Sequence, residues 1–247
     1  MKKTNVVVVG YGNIGSFAVQ AVLAAPDMEL VGIVNPNTKK SSVCGIKVVK
    51  ALEELGDAKV DVALLCVPTR AVPTVAKEYL EKGIHTVDPY DVHGDVWNQV
   101  ELLDTYAKRG CACAIVSAGW DPGADSIVRV LMEACAPRGI THTNFGPGMS
   151  MGHSVAAKAI PGVENALSMT IPLGEGIHRR MVYVQLKNNA SIEEITAAIK
   201  ADPYFAHDET HVVQVENVND YIDRGHAGLI TRKGVSGMTD SRSPHHD

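Results

Sequence analysis

Two aspartates, Asp91 and Asp121, each lie just past the end of an apolar run, and a third run, Val6-Val-Val-Val9, ends in Gly10-x-Gly12-x-x-Gly15. Carboxylates at strand ends can hold an ammonium group and take its proton beside a nicotinamide ring. The glycines suit a dinucleotide. Gly10 permits the tight strand-to-helix turn, Gly12 offers a pyrophosphate no Cβ, and Gly15 lets the helix pack closely on the strand. The N–H groups and positive dipole end of that helix then face the phosphates. Asp121 precedes Pro122 and also reads as a helix N-cap, and Trp120 beside it reads equally as pocket wall or core.

Alternating elements must position these groups. Asn13–Ala25, Val72–Lys82 and Val96–Arg109 have helical composition; Met28–Val34, Asp61–Cys66, Ile84–Val87 and Ala114–Ser117 read as strands. Strands apolar throughout and alternating with helices predict a parallel sheet covered on both faces, with chemistry beyond the strands' C-terminal ends. Three loops belong there: Cys66-Val67-Pro68-Thr69-Arg70, Asp88-Pro89-Tyr90-Asp91 and Ala118-Gly119-Trp120-Asp121-Pro122-Gly123. From about Ile140 the pattern shifts to alternating polarity. Ala166–Ile171, Met181–Leu186, Val212–Val215 and Gly228–Arg232 read as strands around one helix, Ile192–Lys200. The fold class is α/β: a Rossmann-type parallel sheet over 1–122, then a mixed α+β substrate and dimerisation domain over 123–239, then a tail over 240–247.

The 247 residues are 45% hydrophobic with net charge -5, enough for a substantial core and unsuited to charge-driven binding of nucleic acid or membrane surfaces. The N-terminal apolar stretch is too short for a signal peptide, and no segment is long enough to span a bilayer. A soluble, cytoplasmic protein is predicted. Cys44, Cys66, Cys111, Cys113 and Cys135 fit neither a zinc spacing nor a disulfide framework and read as small buried apolar residues. The histidines include no His-Glu-x-x-His, so no metal site is predicted.

The second domain offers Asn144-Phe-Gly-Pro-Gly-Met-Ser-Met-Gly-His-Ser154, which reads as an irregular loop, lining a ligand or simply exposed. Arg179 and Arg180 taken alone read as a solvated face, and His226 as an ordinary polar histidine.

With these loops assembled, the chain resembles meso-diaminopimelate dehydrogenases from residue 1 to about 239. The carriers are VVGYGNIG, CVPTR, HTVDPYDVHGD, VSAGWDPGADSI, TNFGPGMSMGHSVAAKAIPGV, ALSMTIP and RKGVSG. The SAGWDPG and FGPGMSMGHS strings are far more specific than the glycine triplet, and they argue against dihydrodipicolinate reductase, which shares the nucleotide domain. The likeness is strongest to the branch that also aminates 2-keto acids reductively to D-amino acids. It implies NADP-dependent oxidative deamination of meso-2,6-diaminopimelate at its D-centre and a homodimer or higher assembly. It places Asp91, Trp120 and Asp121 around the reacting centre and Phe145, Met151 and Gly152 along the pocket. Thr170, Arg180 and His226 take the far end of the substrate, where a fork-shaped donor suits a carboxylate. The implied cofactor contacts are Gly10, Tyr11, Gly12, Asn13, Ile14, Gly15, Asn35, Asn37, Lys39, Cys66, Val67, Pro68, Thr69, Pro89, Tyr90, Ala118, Gly119 and Pro122.

Two stretches depart from that family. Adjacent arginines for the 2′-phosphate are replaced by Asn35-Pro36-Asn37 with Lys39 and Lys40. No acid selects an NAD ribose, so NADP with weakened discrimination against NAD is expected. From Asp240 the chain runs SRSPHHD, where the family has a substrate-binding asparagine (near Ser241 by register) and further elements. This predicts a truncated or frameshifted reading frame, with an inactive nucleotide-binding chain as the alternative to an enzyme.

Overall fold

The computed structural model describes residues 2–174, 177–221 and 228–234. The chain divides into two compact units, Met1–Ser126 and Ile127–Asp247.

The first unit is a seven-stranded sheet ordered β3-β4-β2-β1-β5-β6-β7. Its strands are β1 (Thr4–Val9), β2 (Met28–Val34), β3 (Ser42–Val43), β4 (Ile46–Val49), β5 (Val62–Leu65), β6 (His85–Val87) and β7 (Ala114–Ile115). Every pairing is parallel except β3 with β4. The helices are α1 (Asn13–Ala24), α2 (Val72–Glu81) and α3 (Val96–Gly110).

The unbroken valines of β1 follow from coverage on both faces. Side chains alternate along a strand, so Val6 and Val8 join Val19 and Val22 of α1. Val7 and Val9 join Ala76 and Leu80 of α2 and Leu103 of α3. The valines at 6, 7 and 8 are each no more than 1% exposed. Because β1 lies between β2 and β5, the strand order reverses at its C-terminal end. Ligands of open α/β sheets bind at such a reversal, and the glycine loop leaves the sheet there.

The helix α4 (Ala124–Cys135) spans the division between units. The second unit holds a four-stranded sheet, β12-β11-β10-β9, and a two-stranded one, β13-β8. Its strands are β8 (Ile140–Phe145), β9 (Gly148–Ser150), β10 (Val163–Gly174), β11 (Ile177–Leu186), β12 (Glu209–Gln214) and β13 (Gly228–Lys233). All pairings are antiparallel except β11 with β12. The helices α5 (Met151–Lys158) and α6 (Ile192–Ala201) cover the larger sheet, where Ala157, Val182, Val184 and Ile199 are fully buried. Ser191 caps α6 by accepting the Glu194 N–H at 3.3 Å, the Ser-x-x-Glu arrangement of a helix start.

Two sequence expectations are overturned. The Asn144–Ser154 stretch is mostly regular: it ends β8, forms β9 and enters α5. Its glycines read as loop signals, but Ala156 and Ala157 of the following turn bury against β10 and draw the segment into a helix. The cysteines are not a buried set. Cys44, Cys111, Cys113 and Cys135 are exposed and only Cys66 is partly covered. Cys111 sits in the left-handed position ending α3, and Cys113 leads into the edge strand β7, which pairs only on its β6 side. Burial pushes the Cys66 thiol up to about 11, so the thiol stays protonated at neutral pH.

Candidate active site

Helix α1 begins at Gly12 with no side-chain cap and no acid in its first turn. Its first N–H groups therefore remain available to an anion. Gly10 has φ +92°, and a Cβ there would fall 2.3 Å from the Cys66 carbonyl oxygen. A Cβ on Gly15 would fall 2.1 Å from the Gly10 carbonyl oxygen. A Cβ on Gly12, in contrast, would meet no protein atom within 4 Å. Two glycines thus serve packing and the third leaves open space, as a pyrophosphate cradle requires.

Loops from neighbouring strands form a continuous ledge beside this cradle. The Cys66 N–H donates to the Val9 carbonyl at 2.7 Å, which sets the Cys66–Thr69 loop against the glycines. The Thr69 hydroxyl donates to the Asp91 carboxylate and accepts the Asp91 N–H at 3.2 Å. Asp88 joins the next pair. Its Oδ1 accepts the N–H groups of Tyr90 at 3.0 Å and Ser117 at 3.3 Å, while its carbonyl accepts the Ala118 N–H at 2.7 Å.

Asp88 is 1% exposed, and burial raises its carboxyl above the usual range against the opposing pull of those two N–H groups. Asp88→Ala is expected to strand two N–H groups and cost about 2–4 kcal/mol, read as a lowered Tm. The raised acid also fixes a sign. The unfolded chain ionises first, so stability falls as pH climbs from the ordinary carboxylate value towards that of buried Asp88. Asp88→Asn should flatten that part of a pH–stability profile.

Several expected contacts take specific forms. Tyr90 is buried with its hydroxyl donating to Asp95 Oδ2 at 2.8 Å. Burial, reinforced by that bond, holds its phenol above the ordinary value. Pro89 packs against Gly119, whose Cβ would lie 3.4 Å from that of Pro89. Trp120 is 51% exposed, which removes the core reading. The first N–H groups of α4, on Ala124, Asp125 and Ser126, go to the carbonyls of Gly119, Trp120 and Gly123. Main chain closes this helix start, while Asp121 Oδ1 stands 3.9 Å from His93 Nε2.

After β2, Asn35 Oδ1 accepts the Asn37 N–H at 3.4 Å in a local turn. Tyr11 and Ile14 of the glycine segment are partly open, with Ile14 59% exposed. The Lys40 ammonium lies 6.0 Å from the Tyr11 ring centroid. Lys40, read with Lys39 from the sequence as a phosphate neutraliser, therefore stands against the glycine-loop surface.

In the second unit Thr170, fully buried on β10, pairs directly with Arg180 on β11. The Arg180 guanidinium donates to the Thr170 hydroxyl from Nη1 and to Asp208 from Nε. Its side chain is only 11% exposed, so the solvated-face reading of Arg180 is overturned; Arg179 alone points outward, onto Glu209. The β11–β12 pairing, with Arg180 opposite Thr210, supplies Asp208 and so withdraws Arg180 from solvent. Phe145 ends β8, its N–H donating to His178 Nε2 at 2.9 Å. Met151 and Gly152 open α5, with Met151 44% exposed. His226 and the stretch 240–247 lie outside the described residues. Among the described residues no group of three His, Cys, Asp or Glu side chains is placed to hold a metal ion.

A parallel sheet carrying this glycine cradle, with carboxylates beyond the adjacent strand ends, defines a dinucleotide-linked oxidoreductase. Comparison with known proteins narrows the class. Residues 4–116 match the oxidoreductase family with an NAD-binding Rossmann fold. Residues 119–179 match the diaminopimelic acid dehydrogenase C-terminal domain. The meso-diaminopimelate D-dehydrogenase of Bacteroides fragilis is 54% identical over 245 residues, 98% of this chain and 81% of that one. The solved structure of C. glutamicum DAP dehydrogenase in complex with DAP superposes with TM-score 0.78 at 32% identity, covering 96% of this chain and 80% of that chain. An engineered D-amino acid dehydrogenase bound to NADP+ gives 0.82 at 28% identity, with the same coverage. The chain belongs to the meso-diaminopimelate dehydrogenase family.

Proposed function

We propose that this chain catalyses reversible NADP-dependent oxidative deamination of meso-2,6-diaminopimelate at its D-centre: with NADP+ and water as co-reactants, hydride loss leaves an imine that water hydrolyses to L-2-amino-6-oxopimelate and ammonia, with NADPH formed. The observation that carries the reading is the Asp91 carboxylate, held by Thr69 on the ledge beside an uncapped glycine cradle. The 54% identical relative named for this activity supports it.

The cofactor residues are those of the cradle and ledge. Gly10 and Gly15 shape the turn whose Gly12, with Tyr11, Asn13 and Ile14, would hold the pyrophosphate. Asn35, Asn37, Lys39 and Lys40 would take the adenosine 2′-phosphate. Cys66–Thr69, Pro89, Tyr90, Ala118, Gly119 and Pro122 line the remainder, Tyr90 through its main chain because its hydroxyl is committed to Asp95. A nicotinamide cofactor held there would supply the acceptor for the hydride leaving the α-carbon.

The chain's own groups handle charge and protons. Asp91 accepts a proton from the D-centre ammonium, freeing the nitrogen lone pair that assists hydride loss. Asp121 holds the positive charge that builds on that nitrogen, and Trp120 covers the reacting centre. Phe145, Met151 and Gly152 shape the pocket wall. Thr170, Arg180 and His226 take the far carboxylate.

The assay is NADP-linked oxidation of meso-diaminopimelate, with D-alanine and D-phenylalanine alongside. Turnover of the first is expected. Absence of any turnover favours the nucleotide-binding alternative, and preference for simple D-amino acids favours the branch represented by the engineered neighbour. Two lysines neutralise a phosphate without arginine's paired donors. NADP is therefore expected to keep the higher kcat/KM with NAD still used; a strong preference for NAD overturns this assignment. The reading includes a cytoplasmic homodimer or larger homo-oligomer, which light scattering would test. Among the described residues no helix is long and apolar enough to cross a membrane.

A further inference from the structure

Arg180 has five N–H groups, and the described residues engage two of them, Nε with Asp208 and one on Nη1 with Thr170. The remaining donors lie along the Nη1–Nη2 edge. An arginine side chain loses much rotamer freedom when ordered, so its direction depends on whatever holds Nε.

Asp208 is built for that task. It stands in the turn before β12, its N–H donating to the Phe205 carbonyl at 3.1 Å and its own carbonyl accepting the Thr210 hydroxyl at 3.2 Å. Its Oδ2, the oxygen that takes Arg180 Nε, also lies 4.0 Å from His153 Nε2. His153 is fixed in turn. Its Nδ1 is 2.9 Å from Ser150 Oγ, and its ring meets Tyr204 and Phe205 edge-on at 5.3 and 5.2 Å. Thr170 of β10 and Asp208 of the turn before β12 thus hold the guanidinium that β11 supplies, with His153 of α5 behind Asp208.

We propose that Asp208, backed by His153, is a positioning residue that locks Arg180 with its Nη edge presented to the substrate's far carboxylate. Selection of a dicarboxylate over a monocarboxylate then depends on Asp208 as well as on Arg180. This rests on the substrate class proposed above. The Asp208 carboxylate offsets the guanidinium's charge in the free protein, and the buried Thr170 hydroxyl takes a second of its donors.

The test compares meso-diaminopimelate with D-lysine, which keeps the far amine but lacks the far carboxylate. In Asp208→Ala, the KM for meso-diaminopimelate is expected to rise on the order of 10- to 100-fold. Its kcat and the constants for D-lysine should change little. Asp208→Asn, which keeps an oxygen acceptor for Nε, should recover much of the loss and guards against misfolding of the alanine variant. Equal loss with both substrates in both variants, or no loss with either, overturns the proposal. Calorimetric binding of both amino acids to the NADP complex separates the two readings. Wild-type protein that binds meso-diaminopimelate tightly without turning it over sinks the proposed activity and leaves the clamp standing. Wild-type protein that binds it no better than D-lysine sinks the clamp.

Discussion

Asp91→Asn is expected to lower kcat for meso-diaminopimelate by about 10²- to 10⁴-fold, the usual scale for losing a general base. The change is nearly isosteric, and the asparagine oxygen can still accept the Thr69 hydroxyl. The N–H of residue 91 keeps its own bond to Thr69 Oγ1. The ledge therefore survives while the carboxylate's basicity is lost. Affinity for NADP should stay at its wild-type value, because Asp91 lies beyond β6 and the cradle forms at the end of β1. Stopped-flow reduction of NADP gives the rate and fluorescence titration the affinity. A variant with unimpaired turnover removes Asp91 from the reaction. One that loses both properties makes Asp91 a structural residue instead.

The second large effect separates two glycines only three residues apart. Gly15→Ala puts a methyl group 2.1 Å from the Gly10 carbonyl oxygen. Both partners are main chain, so the overlap is relieved only by moving α1 away from β1. That cost belongs at or above the upper end of the about 1–3 kcal/mol typical of overpacking. At roughly 2–4 °C per kcal/mol for a chain of this size, differential scanning calorimetry will resolve it. Gly12→Ala meets no atom within 4 Å, and its Tm should stay put. Its methyl group would occupy the approach to the pyrophosphate instead, weakening NADP on the order of 10- to 100-fold, or about 1.4–2.8 kcal/mol. Equal behaviour of the two variants would contradict the division of labour between these glycines.

Much of the first unit was legible in the chain. The starts of α1, α2 and α3 and both ends of β2 fall where periodicity and proline placed them. The Ala114–Ser117 strand shortens to Ala114–Ile115, since an edge strand has a ladder on one side only. The second unit was harder to read. Its strands were seen in part, with β10 extending from Val163 to Gly174 and β11 beginning at Ile177. Local periodicity gives no reading of the helix α4, the strands β8 and β9 or the helix α5. In α5 the local signal from Gly152 favoured a loop, and burial of two alanines outweighed it.

The residue pattern alone was enough for the central parallel strands, the cradle and the family. Buried parallel strands write themselves as valine runs, and a phosphate turn requires glycine at fixed offsets. Specific loop strings such as SAGWDPG carry their own identity. Which side chains work together emerges from the folded chain. Thr69 meets Asp91 across 22 residues, and Asp208 meets Arg180 across 28. Such partners are brought together by strand order and parallel pairing, which leave no mark in local spacing. The glycine triplet names its ligand because its neighbours in sequence are its neighbours in space; Arg180 looks solvated until β12 lies down beside it.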